Sequence, residues 1–441
     1  MRGKMEKESF DAIVVGTGPG GSTVARELTS KGKRVLMLEW GAYKPITGSS
    51  LNAVPQFATP GRSLLFTPRL HGIARGITTG GGTIYYYGTA FDPPVEMFNS
   101  YGVDIRKEVE ETRNELPVEP LPDEWIGAMS RRIMESARDL GFQWKKLNKF
   151  FYKDRLKEVE KGGWGWMAAP NYESKWNARM YVDEAVGKGA KIINRAKVKR
   201  VIIEGRKATG VEFSMWGKKK TAFGDTIIIA AGGIGSPLIL RATGIKEAGY
   251  DYFFDPLIVV MGTVKDLKAP PEIPMSTGLH FEEDGYVMTD LYAPPLLYVL
   301  NQAEGFRLQR LFSQSRTLQI MVKIKDSLGG RLTDCGAVRK VLTKEDKGKL
   351  VRGYERAKKI LRNAGAKGIF KGWIVASHPG GTAKISHIVD SNLKTEYDNL
   401  YVCDCSVIPE AWGLPPVFTL VSLGKRLAKH IARDYIKDCL P

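Results

Sequence analysis

The residues best suited to chemistry lie near the C-terminus, where a histidine precedes a glycine-rich turn. His378 is followed by Pro379, Gly380, Gly381 and Thr382. A neutral imidazole has an ordinary pKa of about 6.5, which suits a general base that works around neutral pH. The remaining histidines of the sequence lie in segments without a comparable motif: His71, His280, His387 and His430. His378 is therefore the predicted catalytic base.

An acidic residue follows further along, at the end of an apolar strand. Asp404 stands between Cys403 and Cys405. Because side chains alternate along a strand, Asp404 points away from both cysteines, and we expect it to accept hydrogen bonds from a bound cofactor. A capping role before Pro409 is the alternative. A single Cys-x-Cys without a second cluster does not predict a metal site, and none is expected.

The elements that could position a cofactor are recognisable at the N-terminus. An apolar run over residues 11–15 predicts a buried strand, and a G-x-G-x-x-G turn and a helix follow over residues 16–31. A second strand over residues 34–38 ends in Glu39. This order of strand, glycine turn, helix, strand and acid is the dinucleotide-binding fingerprint. The fingerprint alone does not separate NAD from FAD.

Each residue of the fingerprint has a physical task. Gly16 permits the tight turn, Gly18 lets a pyrophosphate approach the backbone, and Gly21 lets the helix pack on the strand. The phosphates sit at the helix N-terminus, where the dipole is positive. Glu39 is expected to accept a hydrogen bond from the adenosine ribose.

Two more glycine-rich segments follow, at residues 80–83 and at the end of an apolar strand over residues 226–233. Glycine leaves room for a flat ring or a phosphate to lie against the backbone. A flexible hinge is the alternative for the first segment, and an ordinary strand-to-helix turn is the alternative for the second.

Composition limits the class of protein. The chain has 441 residues, 43% of them hydrophobic, which suits one large or two interleaved domains. No apolar run reaches the roughly 20 residues that span a bilayer. Residues 1–9 lack the apolar core of a secretory leader. The cysteines are scattered, which favours reduced thiols and predicts a cytoplasmic protein.

The net charge of +18 indicates a lysine-rich solvated surface. An anionic substrate and a peripheral contact between the basic surface and acidic lipid are the alternative interpretations. No nucleic-acid partner is predicted, because no recognition module accompanies the basic residues.

Together these motifs resemble the glucose–methanol–choline (GMC) oxidoreductases, a family of FAD enzymes. The matching segments are residues 16–21 with Glu39, residues 80–83, 230–237, 378–382 and 402–409. The resemblance implies an α/β fold with a Rossmann-like FAD-binding domain of the GMC and p-hydroxybenzoate hydroxylase type. It also implies an α+β substrate domain built on an antiparallel sheet.

The resemblance further implies where FAD would lie, with the flavin ring between residues 80–83 and the strand that ends at Asp404. The implied FAD-binding residues are Gly16, Thr17, Gly18, Gly20, Gly21, Glu39, Gly81, Gly82, Thr83, Val198, Ala231, Gly232, Asp404, Pro416 and Val417. His378 coincides with the family's active-site histidine.

The predicted FAD-binding domain is discontinuous and comprises residues 9–94, 177–250 and 373–441. Residues 95–176 and 251–372 then form the substrate domain. Within it, alternating apolar and polar residues over 252–325 predict antiparallel strands, and Thr343 is expected to cap a helix that reaches Asn363. In the FAD-binding domain, residues 191–198 and 201–203 are predicted to be paired strands.

The sequence departs from the family pattern in three ways. Pro415 stands where members usually carry Asn or His, so the usual second polar group is missing. Tyr87 replaces an asparagine near the flavin, and the chain is shorter than most members.

The leading hypothesis is an FAD-dependent oxidoreductase that acts on a CH–OH group. Hydride passes from the alcohol carbon to flavin N5, and His378 is the base. The expected partners are a small-molecule alcohol and an unidentified electron acceptor, and a dehydrogenase is preferred to an oxidase. One alternative is a non-redox flavoprotein, a lyase or decarboxylase, on the same fold. Another is a flavin-dependent reductase, such as an isoprenoid reductase, that shares only the N-terminal fingerprint.

Overall fold

The computed structural model describes residues 9–45, 50–156, 172–304 and 307–437. Residues 1–8, which bear on the expectation about a secretory leader, lie outside the described residues. Across the described ranges, no helix combines the length and the apolar character needed to cross a membrane.

The strands, in chain order, are β1 (Ser9–Val15), β2 (Val35–Glu39), β3 (Leu64–Phe66), β4 (Gly72–Ala74), β5 (Val118–Pro120), β6 (Lys145–Lys146), β7 (Asn148–Phe150), β8 (Lys191–Asn194), β9 (Lys197–Glu204), β10 (Lys207–Met215), β11 (Lys218–Ile229), β12 (Tyr250–Tyr252), β13 (Pro256–Thr263), β14 (Thr277–Phe281), β15 (Tyr286–Asp290), β16 (Thr317–Ile324), β17 (Gly329–Leu332), β18 (Val338–Arg339), β19 (Lys367–Lys371), β20 (Val375–Ala376) and β21 (Leu400–Val402).

The α-helices, in chain order, are α1 (Pro19–Thr29), α2 (Ser50–Phe57), α3 (Val95–Ser100), α4 (Arg106–Glu115), α5 (Ala128–Asp139), α6 (Ala178–Gly187), α7 (Gly232–Thr243), α8 (Pro295–Glu304), α9 (Lys344–Asn363) and α10 (Val417–Lys437).

The first sheet has the neighbour order β8-β2-β1-β11-β10-β9, and β21 also pairs with β11. The pairs β1–β2, β2–β8, β1–β11 and β11–β21 are parallel. Every residue of β2 is buried, as expected for a parallel strand covered on both faces. Helix α1 packs against α6 and α10. The sheet therefore joins N-terminal, central and C-terminal segments, and it has the predicted Rossmann-like character.

The prediction that residues 191–198 and 201–203 form paired strands is wrong. Residues 191–194 form β8, which pairs with β2, whereas residues 197–198 and the whole second segment lie in β9, which pairs with β10. Strand β8 extends the parallel sheet by pairing with the distant β2, whereas β9 starts an antiparallel ribbon by pairing with β10, the next strand in the chain.

The second sheet has the neighbour order β3-β4-β20-β13-β16-β15-β14-β6, and β19 also pairs with β13. The strands predicted within residues 252–325 are confirmed, because β13–β16, β15–β16 and β14–β15 are antiparallel. Helix α9 covers one face of this sheet. Its predicted start is also confirmed, since Thr343 and Asp346 form a reciprocal capping box.

The other face of the second sheet carries the side chains that matter for the site. Strand β16 alternates, so that Ile320 and Val322 face the α9 side, whereas Met321 and Lys323 face the opposite side. Leu257 of β13 pairs with Lys323 and contributes to the same face. A buried lysine therefore lies at the edge of an apolar surface.

Candidate active site

The N-terminal glycine turn is shaped by close packing at three of its positions. A Cβ atom on Gly16 would lie 2.3 Å from the carbonyl oxygen of Ala230, and one on Gly21 would lie 2.3 Å from the carbonyl oxygen of Gly16. A Cβ atom on Gly20 would lie 2.1 Å from the carbonyl oxygen of Cys403. Gly16 and Gly21 thus let the helix pack against the sheet, and Gly20 lets the start of α1 pack on Cys403, directly after strand β21.

Other glycines face free space instead. A Cβ atom on Gly18, Gly82 or Gly232 would meet nothing within 4 Å, so each backbone is open to an incoming ligand. The Gly18 and Gly81 backbones lie together, because a Cβ atom on Gly81 would be 3.0 Å from Cα of Gly18. The glycine segments predicted to approach a cofactor therefore leave room for a dinucleotide at the start of α1.

Thr17 connects the acid of the fingerprint with the second glycine segment. Its backbone N–H and its hydroxyl donate to Oε2 of Glu39 at 3.1 and 2.6 Å, and the Gly41 N–H donates to Oε1 at 2.6 Å. The Gly80 N–H in turn donates to Oγ1 of Thr17 at 3.1 Å. Burial raises the pKa of Glu39. A ribose contact for Glu39 stays a prediction.

Asp404 is occupied by the protein itself. Its Oδ2 accepts from the Gly232 N–H at 2.8 Å and from the Ser236 hydroxyl at 2.5 Å. Its Oδ1 accepts from the Ser406 N–H at 2.8 Å and caps the 3-10 turn Cys405–Val407. The capping alternative is thus confirmed, and the expected cofactor contact stays a prediction.

The remaining predicted FAD-binding residues surround the same end of the first sheet. Val198 is buried in β9, close to where the Ala196 N–H donates to the Glu39 carbonyl at 2.8 Å. Thr83 donates to the Gly80 carbonyl at 2.6 Å. The Ala231 N–H donates to Ser236 Oγ at 3.0 Å. Pro416 directly precedes α10, which begins at Val417.

The loop that carries His378 lies directly on the start of α7. A Cβ atom on Gly233 would be 1.8 Å from the carbonyl oxygen of Pro379, and the Thr382 hydroxyl donates to the Gly233 carbonyl at 2.8 Å. Since Asp404 binds the neighbouring Gly232, the structure brings both C-terminal motifs to the end of the dinucleotide-type sheet.

A lysine and an aspartate stand directly behind His378. The Lys323 Nζ lies 2.8 Å from Nδ1 of His378, and Asp255 Oδ2 lies 3.4 Å from the same nitrogen. Lys323 and Asp255 form an ion pair at 2.9 Å, with each side chain only 1% exposed. Asp326 accepts from the Asp255 N–H at 2.9 Å and pairs with Lys340 at 3.0 Å. His378 is therefore backed by a buried charged network.

This network keeps the imidazole neutral. Burial, and then the positive charge of Lys323, lower the pKa of His378 to about 4, although Asp255 opposes the shift. Burial also lowers the pKa of Lys323, against the attraction of Asp255. At neutral pH His378 can thus carry a proton on one ring nitrogen and accept one at the other.

Sequence reasoning missed Lys323 and Asp255. The available signal is a lysine at an inward position of the apolar strand β16, because a fully buried lysine needs a partner. Residues 414–416 are buried and, as the sequence indicated, Pro415 offers no polar side chain. The polar neighbour of His378 comes instead from the second sheet. Tyr87, the other noted departure, has its carbonyl bound by the Lys149 ammonium at 2.6 Å.

Comparison with known families agrees with this geometry. Residues 10–263 match the N-terminal part of the GMC oxidoreductases, and residues 336–424 match their C-terminal part. The chain belongs to the GMC oxidoreductase family. FAD is its cofactor, and the open backbones at Gly18, Gly82 and Gly232 fit such a group.

Several relatives align over nearly the whole chain. A protein of Methanocaldococcus jannaschii is 27% identical, and the alignment covers 96% of this chain and 100% of that protein. A long-chain-alcohol oxidase of Arabidopsis thaliana is 22% identical, with 96% of this chain and 68% of the relative covered.

Solved structures share the fold. Pyridoxine 4-oxidase from Mesorbium loti superposes with a TM-score of 0.73 at 16% identity, over 96% of this chain and 99% of that one. A formate oxidase gives a TM-score of 0.73 at 14% identity, over 98% of this chain and 99% of that one. Sequence identities this low support a shared fold but not a shared substrate.

Proposed function

We propose that this FAD-dependent oxidoreductase oxidises a CH–OH group, with His378 as the base that removes the hydroxyl proton. The observation that carries the proposal is the neutral, partly buried imidazole of His378. Its loop packs on the start of α7, at the end of the first sheet. A neutral imidazole with one free nitrogen suits proton abstraction at neutral pH. Bound FAD supplies the acceptor for the carbinol hydride.

The apolar surface beside Lys323 supports an alcohol with an apolar part as substrate. Leu257, Val259 and Met321 are buried on the same sheet face as Lys323. A pocket that opens beside Lys323 would be lined by these apolar side chains, and an apolar lining with a few polar groups is typical of small-molecule sites. The relative named a long-chain-alcohol oxidase agrees with this substrate class.

The test is an anaerobic screen of alcohols against the purified yellow protein, followed by flavin absorbance. Apolar primary alcohols should bleach the flavin faster than polyols of equal carbon number. Bleaching by polyols alone would contradict the apolar substrate, and bleaching by no alcohol at all would contradict CH–OH oxidation.

We also propose a dehydrogenase rather than an oxidase. The reduced protein should then pass electrons faster to a quinone or an artificial dye than to oxygen. Reoxidation by air at the rate of turnover would show an oxidase instead.

A non-redox lyase or decarboxylase is the second candidate, favoured by the apolar residue at position 415. Substrate turnover without any flavin bleaching and without an electron acceptor would support it over alcohol oxidation.

A further inference from the structure

The group that faces Nδ1 of His378 decides what the other ring nitrogen can do. A neutral imidazole carries one proton, so one nitrogen donates while the other accepts. If Lys323 is an ammonium, it donates to Nδ1 and the proton resides on Nε2, which then cannot take a substrate proton. When the Lys323–Asp255 ion pair loses a proton at higher pH and Lys323 becomes an amine, Nδ1–H donates to Nζ across the observed 2.8 Å, and Nε2 is free to act as a base.

We propose that Lys323 receives the proton that His378 takes from the substrate, so that the two side chains form a relay. The inference rests on the proposed function and deepens it. The substrate O–H bond breaks as an Nε2–H bond forms, and the Nδ1–H bond breaks as an Nζ–H bond forms. FAD, when bound, would accept the carbinol hydride with its two electrons. Lys323 ends as an ammonium, and the imidazole ends neutral.

Asp255 provides the driving force for this second transfer. Its Oδ2 lies 2.9 Å from Nζ of Lys323, and both side chains are almost fully buried. Its Oδ1 has no hydrogen-bond partner among the described residues, so the carboxylate is incompletely satisfied before the proton arrives. Formation of an ammonium beside this anion is favourable because attraction between charges is strong away from water.

The relay would also explain how the chain manages without a polar side chain at position 415. Lys323 reaches His378 from strand β16 of the second sheet, whereas Pro415 precedes α10 of the first. Lys323 of the second sheet thus supplies the polar partner that position 415 lacks, and it contacts Nδ1 of His378 from behind the imidazole ring.

Several other titratable groups influence the pair. Asp326 lies next to Asp255, and burial raises the pKa of Asp326 to about 6. Burial also raises the pKa of the Cys405 thiol and lowers the pKa of His280, and both of these groups interact with Lys323. Any pH dependence therefore belongs to the cluster as a whole. Burial lowers the pKa of Lys323 while Asp255 opposes that shift, so Lys323 becomes the amine that the relay needs as the pH rises, and the rate of flavin reduction should rise with it.

Two substitutions separate a relay from a fixed positive charge. Lys323→Arg keeps the charge and a donor to Nδ1 but cannot lose a proton. We expect it to slow anaerobic flavin reduction about 10²- to 10⁴-fold, the range of general-base catalysis. Lys323→Met leaves Asp255 to face Nδ1. It should be only about tenfold slower than wild type, a loss below that range, and its reduction rate should no longer rise with pH.

Lys340→Met is the matched control, because Lys340 forms a similar buried pair with Asp326 and does not contact His378. Because Asp326 belongs to the same cluster, the midpoint of the pH profile should shift, but the rise of the reduction rate with pH should be retained. A Lys323→Arg protein that reduces flavin as fast as wild type would overturn the relay, as would a Lys323→Met protein with an unchanged rate and pH profile.

A second measurement needs no variant at position 323 to fold. Nitrogen NMR of the resting holoenzyme, with histidine labelled and His378 assigned through His378→Asn, reports which ring nitrogen bears the proton. We expect the proton on Nδ1 over the pH range in which reduction is fast. A proton fixed on Nε2 throughout that range would refute the relay. Because the tautomer is read without substrate, a failed alcohol screen and a failed relay remain distinguishable.

Discussion

The backbone N–H of Gly232 donates to Oδ2 of Asp404 across 2.8 Å, although 172 residues separate the two in the chain. The same carboxylate caps the turn after β21, and Gly233 next to Gly232 packs against the loop of His378. One buried acid therefore fixes the start of α7 against the C-terminal motifs. This contact explains how distant segments build one site.

Replacement of Asp404 by alanine should weaken this junction. Loss of the carboxylate leaves the donors of Gly232, Ser236 and Ser406 without their acceptor, and each such buried group costs about 1–3 kcal/mol. Urea unfolding should show a loss of at least about 2 kcal/mol, together with a lower FAD content. Asp404→Asn, which keeps one acceptor oxygen, should lose less. Equal stability of Asp404→Ala and wild type would contradict this role.

Two glycines of the N-terminal turn should respond differently to alanine. Gly18→Ala adds a methyl group to open space, so the apoprotein should keep its stability while its affinity for FAD falls. Gly20→Ala forces a methyl group into the Cys403 carbonyl and should cost about 1–3 kcal/mol of stability. Flavin content and urea unfolding of the apoprotein measure both effects. Normal FAD binding by Gly18→Ala would argue against a pyrophosphate at this turn.

The stability of the protein should depend on pH through His378. Its folded pKa is about 4, below the ordinary value of about 6.5, so the unfolded chain binds the proton more readily. The unfolding free energy should therefore be fully retained above about pH 6.5 and fall by up to about 3 kcal/mol as the pH drops to about 4. His378→Asn has no imidazole to titrate, so the difference in unfolding free energy between the two proteins should shrink over the same pH range. A constant difference would show that the imidazole titrates normally.

The two faces of β16 provide a test of the substrate wall. Met321→Ala removes an apolar side chain from the face that carries Lys323, whereas Ile320→Ala removes one from the opposite face. Both should cost about 2–5 kcal/mol of stability. Only Met321→Ala should change the relative kcat/KM of short and bulky apolar alcohols. An equal shift in both variants would mean that the effect is a general consequence of lost packing.

Much of the first sheet could be predicted from the sequence because its signals are local. The turn over residues 16–21 and Glu39 each depend on a few neighbouring residues, and so does the capping box at Thr343, which starts α9 over the second sheet. The pairing of residues 191–203 was predicted wrongly, since β8 pairs with the distant strand β2 and β9 pairs forward with β10.

The surroundings of His378 could be predicted only in part. Its own loop has a recognisable motif, but Lys323 and Asp255 reach it from β16 and from the residue before β13. Neither residue stands in a motif, and their contact exists only because β13 and β16 pair side by side. The hydrogen bonds of Asp404 with Gly232 and Ser236 could not be predicted either, because both partners lie on α7, far from Asp404 in the sequence.

The most direct test of the account is anaerobic flavin reduction by the best apolar alcohol, compared between wild type and His378→Asn by stopped-flow absorbance. Both proteins should be yellow and hold FAD in equal amounts. We expect the variant to be reduced about 10²- to 10⁴-fold more slowly. Reduction of both proteins at the same rate would contradict the role of His378 as the base.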